Sequence, residues 1–299
     1  MSTGIEFAVH LRNPGQAAIL DTFPADLKSL CNADSGSDKG LSAAGFLSVS
    51  RIYIGDEFCP HRLPDVHALN CFFDVARETQ SKLTLLTPFF TDKELERYEI
   101  IFDSLGHCPV EIEVVANDLG FIHHMKGRYP RLPLAVGRLL NRGFKDPRLP
   151  DTVIDQQAPE HERRFLRECT FHQPEFQSLI NGLGICRVER DLLPYENGDA
   201  CSVPGLPTSL YFPYGYFTTG RVCWISALNQ PLHRRFALRT ECAQPCSDVG
   251  FVSRDNGSLF RLGQNGNTFF YRYTSSQLCL LLRSARLEGL RLVYQGFAL

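Results

Sequence analysis

Eight short apolar runs punctuate the chain: IEFAVHL from Ile5, RIYIG from Arg51, KLTLLTPF from Lys82, VEIEVVAND from Val110, LPLAVGRLL from Leu132, ICRVERDLL from Ile185, SLYFPYGYF from Ser209 and LRLVYQ from Leu290. Each has strand length, bounded by polar or turn-forming residues. Between them, Val66, Leu69, Phe73 and Ala76 recur at helical spacing, as do Leu95, Tyr98, Phe102 and Leu105, so both segments predict amphipathic helices. Strands alternating with helices bury a parallel sheet under a helical layer. Eight such units predict an α/β fold, a (β/α)8 TIM-like barrel, complete or distorted; an open doubly wound sheet is the alternative.

Two stretches break the rhythm, ADSGSDKGLSAAG and the polar insertion from Lys145 to Glu160, and neither has the character of a domain linker. From Pro231 to Thr274 the pattern changes again. FVSRD, SLFRLG and NTFFYRY, with Asn-Gly pairs at Asn256-Gly257 and Asn265-Gly266, predict a small antiparallel insertion ahead of the last helix and strand. The expectation is a single barrel domain over residues 1–299 with a cysteine-bearing β subregion at 231–274.

In such a barrel the chemistry gathers where the strands end and the βα loops begin. Cys59, Asn117, Asp118, Arg138, Asn141, Arg187, Glu189, Arg190, Arg221 and Cys223 all follow or finish the apolar runs. These positions are expected to converge on one face.

Composition narrows the function. A chain of 299 residues, 43% hydrophobic and 21% charged, fits a globular protein with a full core. A net charge of -2 argues against a broad phosphate-neutralising surface, so nucleic acid is not favoured, although HERRFLR and HRRFALR make local basic patches. The opening MSTGIEFAVHLRNPG lacks a signal-peptide pattern, and no segment holds 18 uninterrupted apolar residues. The expectation is a cytoplasmic protein without a membrane span.

Eleven cysteines, odd in number and scattered, suit a reduced protein in which some thiols are core and others ligands. Cys71 and Cys279 fall in helical apolar patterns and read as core, while Cys31, Cys108 and Cys169, near the ends of predicted helices, read as core or surface. Cys186 and Cys201 stay unassigned. In ECAQPC, Cys242 and Cys246 stand four positions apart in a proline-containing loop: either a turn with two unligated thiols, or half of a soft-metal site completed by Cys59 and Cys223. Four thiolates suit zinc or an iron–sulfur cluster.

The segments RIYIGDEFCPHR, VVANDLGFIHHM, LAVGRLLNRGFKDPR, YGYFTTGRVCWISALNQP and ECAQPCSD, in this order, resemble the collagenase-like U-thirty-two peptidase family, most of all its UbiV-type branch of oxygen-independent ubiquinone hydroxylation. The likeness runs from Arg51 to Asp248. It implies a barrel, a 4Fe-4S cluster held by Cys59, Cys223, Cys242 and Cys246, and a related barrel subunit as heterodimer partner. The chain departs from the family pattern at Tyr214-Gly215, where a His-Gly pair is usual. Despite the family name, no nucleophile, base and orienting group are marked out, and no H-E-x-x-H helix is present.

The resemblance implies a subunit supporting an oxygen-independent hydroxylation, with a small aromatic or dicarboxylate substrate. Arg138, Arg187, Arg190 and Arg221 are the candidates to hold an acid, because guanidinium groups match carboxylates bidentately, with Asn117 and Asp118 beside them. The same arginines could instead pair with Glu189 and Asp118 to close the barrel mouth. The competing reading of the whole is a non-catalytic assembly module clipped by a metal; RNA-base hydroxylation and peptidase activity rank below it.

Overall fold

The computed structural model describes residues 5–23, 49–145, 158–194, 202–228, 230–238, 241–247, 250–252, 262–288 and 290–297. Eight parallel strands close a barrel: β1 (Glu6–Leu11), β2 (Arg51–Gly55), β3 (Lys82–Leu86), β4 (Ile112–Ala116), β5 (Leu134–Val136), β6 (Arg187–Arg190), β7 (Thr208–Phe212) and β12 (Arg291–Gln295). Neighbours in sequence are neighbours in the barrel, and β12 closes it by pairing with both β7 and β1. Each predicted apolar run supplies one of these strands.

Helices α1 (Val66–Glu78) and α2 (Asp92–Leu105) occupy the places their spacing predicts. Leu69, Phe72, Phe73 and Ala76 of α1 are buried, as are Ile101, Phe102 and Leu105 of α2. Helix α3 (Leu119–Arg128) follows β4, and α4 (Glu160–Arg167) and α5 (Pro174–Gly182) lie between β5 and β6. Cys71 and Cys279, expected in the core, are only half-buried. No described helix is long and apolar enough to cross a membrane.

Side chains alternate across each strand, and the barrel is filled rather than open. Ala8, Tyr53, Leu86, Val115, Ala135, Tyr211 and Val293 form an apolar cluster inside it, while the larger core lies between strands and helices. Where the strands begin, the interior is ionic. Arg51 contacts Glu6 at 3.1 Å and Glu111 at 2.8 Å, and Arg291 meets Glu6 at 2.9 Å and also pairs with Glu113.

Two expectations need correcting. The run SLYFPYGYF is two strands: β7 belongs to the barrel and ends at Phe212, and β8 (Tyr214–Thr219) belongs to a separate antiparallel sheet. Pro213 between them has no N–H to continue a ladder. The extra sheet, in order β8-β11-β10-β9, joins β8 to β9 (Gly250–Val252), β10 (Leu262–Asn265) and β11 (Thr268–Arg272). It therefore begins at Tyr214, not at Pro231. Its Asn265-Gly266 turn is as predicted, with Gly266 at φ +63°. Cys31, Cys201, the ADSGSDKGLSAAG stretch, residues 146–157 of the polar insertion and the Asn256-Gly257 pair lie outside the described residues.

Candidate functional site: a cysteine-lined cavity at the barrel mouth

Three loops converge beyond the strand ends. The first leaves β2 at Gly55, whose φ of +86° is open to glycine but strained for any other residue. Asp56 then accepts from the Phe58 N–H at 2.7 Å and the Cys59 N–H at 3.0 Å, and from Arg62 at 3.1 Å. That turn fixes where Cys59 stands. Burial alone would raise the Asp56 pKa, but Arg62, Arg12 and the Phe58 N–H outweigh it and hold the carboxyl below its ordinary value.

The second loop follows β8 and carries Arg221 and Cys223 into the short helix α6 (Trp224–Ala227). The third holds Cys242 and Cys246. Gln244 between them adopts φ +52°, donates its side-chain amide to the His61 carbonyl at 2.5 Å and its backbone N–H to Cys242 Sγ at 3.4 Å. Asn267, in the β10–β11 turn, donates to the Phe58 carbonyl at 2.7 Å and to the Gly220 carbonyl at 2.7 Å. One buried amide thus ties the Cys59 loop to the Cys223 loop.

Cys59, Cys223, Cys242 and Cys246 line a single cavity, with His61, Arg62, Glu94, Arg221, Arg235 and Asn267 among its walls. As placed, no three His, Cys, Asp or Glu side chains among the described residues are drawn tightly enough together to hold a metal ion. The nine cysteines among the described residues are free thiols. Burial, then Asp56, pushes the Cys59 thiol up to about 12. A metal binding there would displace protons, because the thiolate is the ligand. Arg62 stands close enough to Cys59 and Cys246 to interact with both electrostatically. By ligand chemistry alone, four cysteine sulfurs are the donors that a four-iron cluster or zinc takes.

The predicted polar residues divide. Arg221 lines the cavity and is clasped by Glu94 at 2.8 and 2.9 Å. Arg138 is buried at the mouth, with Glu57 at 2.6 Å, Asp191 at 2.9 Å and its guanidinium 3.6 Å from the Tyr211 ring centre. Asn117 donates to the Thr87 carbonyl at 2.9 Å and accepts from the Leu139 N–H at 2.8 Å. Asp118 caps α3, accepting from the Gly120 and Phe121 N–H groups. Arg187 is the first residue of β6, so it sits at the opposite end of the barrel, 3.7 Å from Glu6. Arg190 ends β6 on the face opposite Glu189 and, after burial, is the next cause that lowers the His172 imidazole. Cys186 is exposed ahead of β6.

Sequence reasoning missed the partners. Glu57 and Asp191, both fully buried, balance Arg138 and the buried Lys145, whose ammonium lies 3.9 Å from Asp191 and 3.3 Å from the Tyr216 ring centre. Burial pushes Lys145 down to about 8. The only available signal was adjacency: Glu57 and Asp191 neighbour residues already singled out.

His10, inside the same mouth, is held by the Gly55 carbonyl at 2.8 Å, and burial, then Arg12, lowers its pKa from 6.5 to about 4. The folded state therefore binds fewer protons than the unfolded state between these values, so stability falls as pH drops from 6.5 towards 4. The shift corresponds to about 3 kcal/mol. Urea titrations of the protein and of His10→Gln should show the variant sparing most of that loss; a stability difference independent of pH would mean His10 titrates normally.

No family model, curated protein or solved structure matches the chain. The class defined by the fold is a parallel (β/α)8 barrel with an antiparallel sheet packed at its C-terminal mouth.

Proposed function

We propose that this chain is a cysteine-ligated iron–sulfur protein supporting an oxygen-independent hydroxylation as a subunit beside a related barrel partner. One observation carries the reading: four cysteines from three separate loops, as far apart in sequence as Cys59 and Cys246, line one cavity. The resemblance to the UbiV-type branch supplies the reaction class. Cys59, Cys223, Cys242 and Cys246 would hold the cluster, and a shell closed by four thiolates suits one-electron transfer. Arg62 offsets thiolate charge, and the Gln244 N–H donates to Cys242 sulfur, two influences that tune such centres. Of the four candidate arginines, Arg221 is the one that lines the cavity, so a small aromatic acid or dicarboxylate bound there would meet Arg221 and Arg235.

Anaerobic purification with iron, sulfide and zinc analysis tests this. About four irons and four sulfides per chain are expected, falling towards zero in Cys59→Ala, Cys223→Ala, Cys242→Ala and Cys246→Ala. Cys71→Ala, half-buried on α1 away from the cavity, should keep them. Stoichiometric zinc in place of iron would favour the metal-clipped assembly module, and a metal-free chain would remove both readings.

A further inference from the structure

The segment joining Cys223 to the Cys242 loop exposes half of the large apolar side chains that the described residues leave in solvent: Trp224, Leu228, Leu232, Phe236 and Leu238. Trp224 is 63% exposed, Leu232 72% and Phe236 71%. Residues 231–238 are exposed without a break. Trp224 is also the chain's single tryptophan. A concentration of this kind on a folded surface marks a contact with something else.

Charge says what that something is. From Val222 to Thr240 the sequence contains no Asp or Glu, yet it holds His233, Arg234, Arg235 and Arg239, in a chain whose net charge is -2. The backbone is broken into the short helix α6 and a 3-10 turn at Leu232–Arg234, so the apolar side chains do not form one helical stripe. Trp224, Leu228 and Phe236 line one groove, together with Val222, Ala227 and Arg235. Complementary surfaces meet with opposite charge, a positive patch against a negative one. A stretch carrying only cationic charge calls for an anionic surface, and tryptophan, phenylalanine and leucine interleaved with arginine match the headgroup boundary of a bilayer.

We propose that residues 222–228 and 230–238 form a lobe that seats on an anionic lipid bilayer, with Trp224, Leu232 and Phe236 entering the interface and Arg234 contacting lipid phosphates. Because Arg235 and Leu238 also line the cysteine cavity, the lobe brings that cavity to the membrane surface. The assignment rests on exposure and charge, and it stands whether or not the cavity holds a metal.

Trp224 makes the test direct. The purified full chain is mixed with vesicles of phosphatidylcholine alone or with added phosphatidylglycerol, at low and high salt. Only the anionic vesicles should move the tryptophan emission to shorter wavelength, sediment the protein and, when brominated, quench the signal, and salt should weaken all three. Leu232→Glu, Phe236→Glu and Arg234→Glu, each exposed and so compatible with folding, should reduce sedimentation at least tenfold, with unchanged circular dichroism. Emission indifferent to anionic vesicles, or Leu232→Glu binding as the parent does, overturns the proposal. Equal response to both vesicle types overturns the charge assignment, and a Trp224 that responds only to an added protein makes the lobe a protein-docking site instead.

Discussion

Arg138→Met is expected to cost about 3–5 kcal/mol of folding free energy, the usual result of breaking a buried ion pair from one side. The guanidinium is 3% exposed and is gripped by Glu57 and Asp191, both at 0%. Methionine fills much of the same volume over the Tyr211 ring, so the loss is mainly electrostatic. Two buried carboxylates would remain, with Lys145 near Asp191 as their nearest compensation. Equilibrium urea unfolding reads the effect. Combining Arg138→Met with Glu57→Gln should recover much of it, because Asp191 and Lys145 then remain as a balanced pair. A loss below about 1 kcal/mol in the single variant would show that water reaches the cluster and that Arg138 is free to hold a substrate acid.

Gly215→Val is expected to cost about 3 kcal/mol, by a different route. Gly215 in β8 stands in register with Tyr271 in β11, and a Cβ at that position would fall on the tyrosine ring. The ring cannot step aside cheaply. Tyr271 is fully buried and donates to the Leu192 carbonyl at 2.6 Å, while the Tyr273 hydroxyl accepts from the Leu192 N–H at 2.8 Å. Overpacking and loss of that hydrogen bond contribute about 1–3 kcal/mol each. Because Asn267 in the same sheet anchors the Cys59 and Cys223 loops, the variant should also lose the metal proposed for the four cysteines at temperatures where it remains folded. Gly127→Ala, where an added Cβ meets nothing within 4 Å, is the control and should gain a few tenths of a kcal/mol as a helical glycine replaced by alanine.

The barrel was legible because its strands are buried on both faces, which leaves continuous apolar runs that stand out from the amphipathic helices between them. The same property hid the boundary at Pro213: SLYFPYGYF is apolar throughout, and only the proline marks where the chain leaves one sheet for another. Strand ends were harder still. Arg187 and Arg190 are three residues apart on one short strand, so a small shift in its start moves Arg187 from one end of the barrel to the other. Asp118 looked chemical and serves as a helix cap, a role written in its position before Leu119 and Gly120. The four cysteines could be grouped because each follows a strand or occupies the one C-x3-C loop. Asn267 could not, because a single asparagine after an Asn-Gly turn carries no sign of the two carbonyls it will hold.

The pairing of β1 with β12 sets the order of events during synthesis. Cys59 leaves the ribosome more than 160 residues before Cys223, and both wait for the last strand before the barrel can close. Until that strand arrives, the mouth has no wall and the loops no common frame, since the contacts that define them lie far apart along the chain. A site that needs all four cysteines would therefore take shape only with the closed barrel, not on a nascent segment.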